Sequence, residues 1–366
     1  MLDNVLEHLE MLVSFDTRNP PRAIDGGGIF DYLREQLFGF DVEVTDHGAG
    51  AVSLLAVRGN PHRVFNVHLD TVPDSPGWSA DPFELRVDDQ TAVGLGACDI
   101  KGAAACLLTA AQCTQGDAAF LFTSDEEAND PRCIRAFLAK EHGFKEAIVA
   151  EPTRCEAVLA HRGIASVLMR FRGTAGHASG ANALEASALH QSVRWSGRAL
   201  DFVASEAQRE FGGLTGLRFN IGRIEGGIKA NVIAPAAEVR FGFRPLPSHD
   251  IDALHESFRG FVDPSALAYY EETFQGPSLP AGDNALSGLA SAEKRRLEAR
   301  DLAVALGLPI GNAVDFWTEA ALFSQAGLTA IVYGPGDITQ AHSADEWVLL
   351  RDLDTAATTY QRLLEK

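Results

Sequence analysis

The sequence predicts an α/β protein interrupted by a smaller α+β insert. Three observations predict it. Apolar runs of strand length alternate with helix-period stretches from the N-terminus to about Thr153. From there to Phe274 the order becomes strand, helix, strand, strand, helix, strand, the pattern of a small open-faced sandwich. Past a Gly- and Pro-bearing return over residues 275–284, the first style resumes.

Leu2, Val5, Leu9 and Leu12 recur at helical spacing, so a helix opens the chain and ends near Phe15. Asp16-Thr17-Arg18-Asn19-Pro20-Pro21 then breaks it. Strands are expected at 42–44, 51–57 and 64–69, followed by a helix over 100–113 and a buried strand over 118–123. A helix over 131–140, with Pro131 in its first turn, and a short strand over 147–150 complete this half. The insert carries two β-type runs within 157–171 around Arg162-Gly163, then a helix over 183–203. Strands at 217–224 and 237–243, a helix at 251–261 and a strand at 267–274 follow. A helix over 292–306 and a strand over 330–333 return to the α/β style. At 366 residues two domains are the expectation. Their boundaries fall at 1–159 with 275–366 for the α/β domain, and at 160–274 for the insert.

Fifty acidic against 31 basic residues give a net charge of -19. Such a field repels a phosphate backbone, so no nucleic-acid partner is expected. Five cysteines, an odd number without a CxxC pair, argue against a disulfide framework and for a reducing cytoplasm. The N-terminus is acidic and amphipathic rather than signal-like, and the most apolar run, 103–111, is too short to span a bilayer. No membrane partner is expected, and the protein should stay in the cytoplasm.

Five clusters could carry chemistry. His68-Leu69-Asp70 ends the third strand, where open α/β sheets place their ligands. A His two residues from an Asp can bind a metal while the carboxylate holds its other ring nitrogen, although such a pair is more often a capped turn. Asp99 lies in Gly94-Leu95-Gly96-Ala97-Cys98-Asp99-Ile100-Lys101-Gly102, where it reads first as an N-cap for the following helix. A phosphate loop is a poor fit, because neither GxxxxGK[ST] nor a full GxGxxG is present. Ser124-Asp125-Glu126-Glu127 follows a hydrophobic strand, and adjacent carboxylates there repel unless a cation joins them. Glu151-Pro152-Thr153 puts another carboxylate at a strand end. His342-Ser343-Ala344-Asp345-Glu346 follows the glycines of Gly334-Pro335-Gly336. Any one cluster alone is unremarkable. Five together suit Zn(II), Co(II) or Mn(II) through oxygen and imidazole ligands, two ions about 3.5–4 Å apart sharing Asp99. One glutamate must stay free as general base, and Glu126-Glu127 supplies a base and a ligand side by side. HExxH, GxSxG and a cysteine-nucleophile signature are all absent from the sequence.

In order, His68-x-Asp70, Gly96-x-x-Asp99-x-Lys101-Gly102, Asp125-Glu126-Glu127, Glu151-Pro152-Thr153 and His342-Ser343-x-Asp345-Glu346 resemble the M20 metallopeptidase family over nearly the whole chain. The resemblance implies a zinc-peptidase-like catalytic domain with an inserted ferredoxin-like lid and dimerisation domain. It implies two divalent ions, Zn or Co, with Asp99 bridging, His68 and Glu151 completing one site, and Glu127 and His342 the other. Glu126 would be the general base and Asp70 would orient His68. A cis peptide is implied at Asp99–Ile100. Gly173-Thr174-Ala175-Gly176-His177-Ala178-Ser179 resembles the lid motif, whose His acts as oxyanion donor, in some dimers across the subunits. Gly226-Gly227-x-Lys229-Ala230-Asn231 and Phe243-Arg244-Pro245 resemble the substrate-carboxylate region, pointing to Asn231 and Arg244. Residues alone would have left His177 a surface group and Arg244 a strand-end charge. Leu95 stands where many members carry Arg.

Residues 311–320 and 160–164 carry a closer resemblance, to members acting on N-acetylated amino acids of arginine biosynthesis. Removal of the acetyl group from N-acetyl-L-citrulline is the expected reaction, with N-acetyl-L-ornithine as the alternative substrate. A non-catalytic dimeric binding protein on the same scaffold is the rival of another class. Retention of Glu126 beside a full ligand set argues against that rival.

Overall fold

A computed structural model describes residues 1–281 and 289–365. The chain divides into two units, 1–159 with 296–312 and 318–366, and 160–295 with 313–317. The expected return over 275–284 lies partly outside the described residues.

The first unit centres on a six-stranded sheet in the order Asp41–Asp46, Val52–Arg58, Ala118–Thr123, Arg63–His68, Glu146–Val149, Thr329–Val332. Its first two pairings are antiparallel and the other three parallel, which makes the sheet mixed. The central strand Ala118–Thr123 is buried at every position and reads as an unbroken apolar run, as a strand covered on both faces must. The parallel strands Arg63–His68, Ala118–Thr123 and Glu146–Val149 are neighbours running the same way. Their carboxyl ends therefore meet at one edge, where His68, Asp125–Glu127 and Glu151 leave the sheet.

Helix Lys101–Gln112 is buried all round from Lys101 to Ala111. A helix without a polar face belongs in a core, and its alanines let Leu2–Ser14 and Leu350–Leu364 pack close. The C-terminal helix Leu350–Leu364 went unpredicted, although Leu353, Ala356, Ala357, Tyr360, Leu363 and Leu364 form an ordinary 3–4 stripe. Helices Ile29–Gln36 and Ala320–Gln325 also went unpredicted. So did a small sheet in the order Trp347–Leu349, Thr91–Val93, Arg86–Val87, whose strands are too short to show a period.

The second unit has an antiparallel sheet ordered Arg218–Gly226, Ala236–Arg244, Ile164–Arg172, Leu267–Gly276. Helices Ala188–Ser205 and Ile251–Gly260 contribute Trp195, Ala199, Leu254 and Phe258 to one core with Val167, Met169, Phe171, Val239, Phe241 and Phe243 of the sheet. Trp195 places its indole N–H on the Phe258 carbonyl at 2.7 Å, which lets the ring be buried whole.

Two expectations need correction here. Residues 157–161 form isolated bridges rather than a strand. The helix expected over 183–203 breaks at Ser187, which is extended and whose hydroxyl accepts from the His190 N–H, starting a new helix at Ala188. The second unit comprises 160–295 and 313–317. Buried Arg162 pairs with Asp315, and the Trp317 indole donates to the Pro277 carbonyl at 2.9 Å. Among the described residues no helix is long and apolar enough to cross a membrane.

Candidate metal centre

Two groups of side chains in the first unit could each hold a cation: His68, Asp99 and Glu151, and Asp99, Glu127 and His342. Within each group the donor atoms lie within 4.8 Å of one another. Asp99 belongs to both. Its Oδ1 stands 3.2 Å from His68 Nε2 and its Oδ2 3.3 Å from His342 Nε2. Glu151 Oε1 lies 4.0 Å from His68 Nε2, and Glu127 Oε1 2.9 Å from His342 Nε2. One carboxylate facing two imidazoles from opposite oxygens is the arrangement a bridging ligand needs.

Asp99 does not cap the helix that follows. The capping position is Ile100, without a side-chain cap, so the ordinary reading of Asp99 fails. The Asp99–Ile100 peptide is cis. His342 sits at φ 56° beyond the turn Ile338–Gln340, which Asp337 and Gln340 close with a capping box.

Asp70 holds His68, though chiefly through its backbone. His68 Nδ1 is 3.0 Å from the Asp70 carbonyl and 3.6 Å from its carboxylate, the latter beyond a normal hydrogen bond. The other carboxylate oxygen of Asp70 accepts from the Asn19 side-chain amide at 2.9 Å and the Glu127 N–H at 3.0 Å. Asp70 thus ties a residue of each triad to the loop after the first helix.

The electrostatics of this donor set suit a cation. Burial pushes Glu126 well above the usual carboxylate range, with Glu127, Glu151 and Glu319 adding to it against His68. Burial likewise raises Glu151, helped by Asp99, and raises Glu127 against the His342 hydrogen bond. Burial works against a charged His68, yet Asp70, Asp99 and Glu151 carry it well above its ordinary value. Hydrogen bonding of its ring to the Asp99 and Glu127 carboxylates raises His342 to about 11. Buried carboxylates crowded beside two imidazoles form a donor set whose charge a cation would balance. Oxygen and imidazole donors without thiolate suit Zn(II) or Co(II), and the residues fit such ions.

Sequence reasoning missed Glu319. It is 2% exposed, Thr123 donates to it at 3.2 Å, and its other oxygen is buried without a hydrogen bond. Burial, with Asp125 next, pushes it up to about 8. An acid within the otherwise apolar Thr318-Glu319-Ala320-Ala321-Leu322-Phe323 was the available signal. Asn19 was missed too, being read only as part of a break.

His177, Asn231 and Arg244 lie in the second unit. The loop bearing His177 pairs with the chain at Val232, and the Asn231 carbonyl accepts from the Ala178 N–H at 3.1 Å, so these two are neighbours. His177 is exposed and its Nδ1 is 2.6 Å from the Ser179 hydroxyl. Arg244 ends strand Ala236–Arg244 and lines a groove of about 530 Å3 with Arg218, Asn220 and Arg240. Leu95, where an Arg contact was in question, is buried.

Residues 64–366 match the model of peptidase family M20/M25/M40. The chain is 67% identical over 365 residues to N-acetyl-L-citrulline deacetylase of Xanthomonas campestris pv. campestris, covering 100% of this chain and 98% of the relative. It is 29% identical over 342 residues to acetylornithine deacetylase of Vibrio vulnificus, covering 90% and 88%. Among solved structures it resembles aminopeptidase PepT from Bacillus cereus, with TM-score 0.73, 18% identity and coverage of 100% and 98%. It also resembles a Bacillus subtilis protein described as a dinuclear metal binding peptidase of the M20 family, with TM-score 0.66, 14% identity and coverage of 100% and 96%.

Proposed function

The chain belongs to peptidase family M20/M25/M40, and on that premise we propose that it is an amidohydrolase removing the acetyl group of N-acetyl-L-citrulline to give L-citrulline and acetate. The observation that carries the substrate is full-length identity of 67% to a deacetylase of that name. The observation that carries the chemistry is the pair of triads sharing Asp99 beside Glu126.

His68 and Glu151 on one side of Asp99, and Glu127 and His342 on the other, would hold two divalent ions, for which we propose zinc or cobalt. Such ions, when bound, polarise the acyl oxygen and make water a nucleophile at neutral pH. Glu126, left free of metal, takes the proton from the attacking water and returns it to the departing amine as the C–N bond breaks. Asp70 keeps His68 in register. On the motif alone, His177 is proposed to donate to the carbonyl oxygen as it gains charge, and Arg244 and Asn231 to grip the substrate carboxylate.

A steady-state assay on N-acetyl-L-citrulline and N-acetyl-L-ornithine tests the substrate. We expect the citrulline derivative to have the higher kcat/KM, and the reverse order would favour the second reading, which the 28–30% identity to acetylornithine deacetylases supports. A chelator that leaves turnover intact would sink the reaction class. We further propose a reducing cytoplasmic setting, since the five cysteines are unbonded. Association of two copies through the second unit is also proposed. Strand Arg218–Gly226 stands at its sheet edge there, and Leu184, Val193 and Leu200 are exposed. A concentration-independent monomer in sedimentation would remove that proposal.

A further inference from the structure

Glu346 has no part in either triad, yet its carboxylate is spent on the turn that carries Asp99. Its Oε1 accepts the backbone N–H groups of Cys98 and Asp99, both at 2.9 Å, and its Oε2 accepts that of Gly96 at 3.0 Å. The Glu346 carbonyl accepts the Gly94 N–H at 3.0 Å, so backbone and side chain hold the same turn. The residue is 1% exposed. The turn is tight enough to need this order. Gly96 sits at φ 78°, where a Cβ would come within 2.7 Å of Thr71, and a Cβ on Gly102 would meet the Ala97 carbonyl at 2.4 Å.

The far end of this anchor is the other ligand loop. Glu346 follows His342 by four residues. Between them Asp345 accepts from Ser79 N–H at 3.1 Å and pairs with Arg86 at 2.6 Å. Strand Trp347–Leu349 then pairs with Thr91–Val93, directly before the turn. One side chain thereby joins the backbone of the shared carboxylate to the segment that supplies an imidazole of the second triad.

We propose that Glu346 is a positioning residue of the metal centre, which sets the place of Asp99 and through it the affinity of both cation sites. The physical reason is the chemistry of the acceptor. Three N–H donors converge on two oxygens, which only an acceptor on both sides can satisfy. A glutamine of the same shape must turn its NH2 toward at least one backbone N–H, leaving a buried donor unpaired and pushing the turn away. The Asp99 N–H is itself one of the three donors, so its carboxylate moves with the turn. Partners of this outer kind are worth about 10–100-fold in metal affinity. Because Asp99 serves both triads, both ions must feel the change. A residue that merely glued the fold would lower stability and leave the affinity of the folded protein alone.

The test is cobalt titration of the metal-free full chain, followed by visible absorption and equilibrium dialysis, with far-UV circular dichroism to confirm folding. Wild type, E346Q, E346D and T109A are compared, Thr109 being a buried hydroxyl of the neighbouring helix away from the turn. E346Q is expected to bind both ions about 10–100-fold more weakly with an altered cobalt spectrum, and T109A to match wild type in both. E346D keeps the charge and both acceptors but shortens the reach, and should fall between E346Q and wild type. Folded E346Q binding both ions within twofold of wild type overturns the proposal, as does a loss confined to one ion. Should E346Q fail to fold, E346D decides in its place, and affinity within twofold of wild type overturns the proposal. The proposal rests on Asp99 as shared ligand. A wild-type chain that takes up one ion overturns that reading and the proposal with it, whereas two ions bound alike by wild type and E346Q overturn the proposal alone.

Discussion

His68 and Glu151 leave the ends of adjacent parallel strands and are sealed from solvent, their side chains 2% and 5% exposed. His342 stands on a loop with 49% of its side chain open. Both triads use Asp99, so the difference comes from the outer ligands and the backbone beneath them. The strand-end triad is buried, where charge interactions are strong and a bound ion is expected to exchange slowly. In the loop triad only His342 opens to solvent, Asp99 and Glu127 being 6% and 10% exposed, and an ion is expected to enter and leave more freely on that side. Two ions in one centre are therefore expected to differ in affinity, the one on His68 and Glu151 being the tighter.

Asp99→Ala removes the ligand common to both triads. Metal content measured by atomic emission should fall from two per chain to below one, with turnover lost beyond detection; two retained ions would break the shared-ligand picture. Glu126→Gln leaves both triads whole, and kcat should fall about 10²–10⁴-fold at unchanged metal content. Next in size, His342→Ala should empty the open site alone and leave one ion per chain, while His68→Ala should loosen the tighter one; equal effects of the two would erase the asymmetry.

A smaller effect concerns pH. In the metal-free chain His342 is raised to about 11, so near neutral pH a cation must displace its proton. Affinity of the open site should rise as pH rises, and proton release should accompany binding in a weakly buffered titration. The same shift works on folding. A raised folded-state value means that the contribution of His342 to the stability of the metal-free chain is complete below about 6.5 and is lost as pH climbs toward 11. The smallest effect is expected at Glu319, pushed up to about 8 by burial. Its contribution is full below about 4.5 and lost through about 8, so Glu319→Gln should flatten the decline of metal-free stability over that interval. Urea unfolding at several pH values reads both, and a decline in E319Q as steep as in wild type would remove Glu319 as a cause.

The alternation of strand and helix was legible because strands such as Ala118–Thr123 are apolar throughout and bounded by turn residues. The proposed ligands were legible because His68, Glu151 and Glu127 each follow such a run closely. Asp99 was legible only in the company of the other clusters, since an Asp before a helix looks by itself like a cap whether or not it becomes one. The grip of Asp70 through its carbonyl was invisible, because backbone acceptors leave no trace in residue identity. Glu319 and Glu346 were hidden for a related reason. Their meaning lies in partners about 200 and 250 residues away along the chain, Thr123 and the turn at Gly96, and no local period records such a meeting.

Because His68 and Glu151 are delivered by neighbouring strands, their separation is set by the spacing of a hydrogen-bonded sheet, about 4.8 Å from strand to strand. The mould for the inner cation is thus cast by the backbone before any ion arrives. A chain stripped of metal should refold to the same scaffold and then be charged with a different divalent ion, so the identity of the resident metal would follow supply in the cell as much as the protein's own preference.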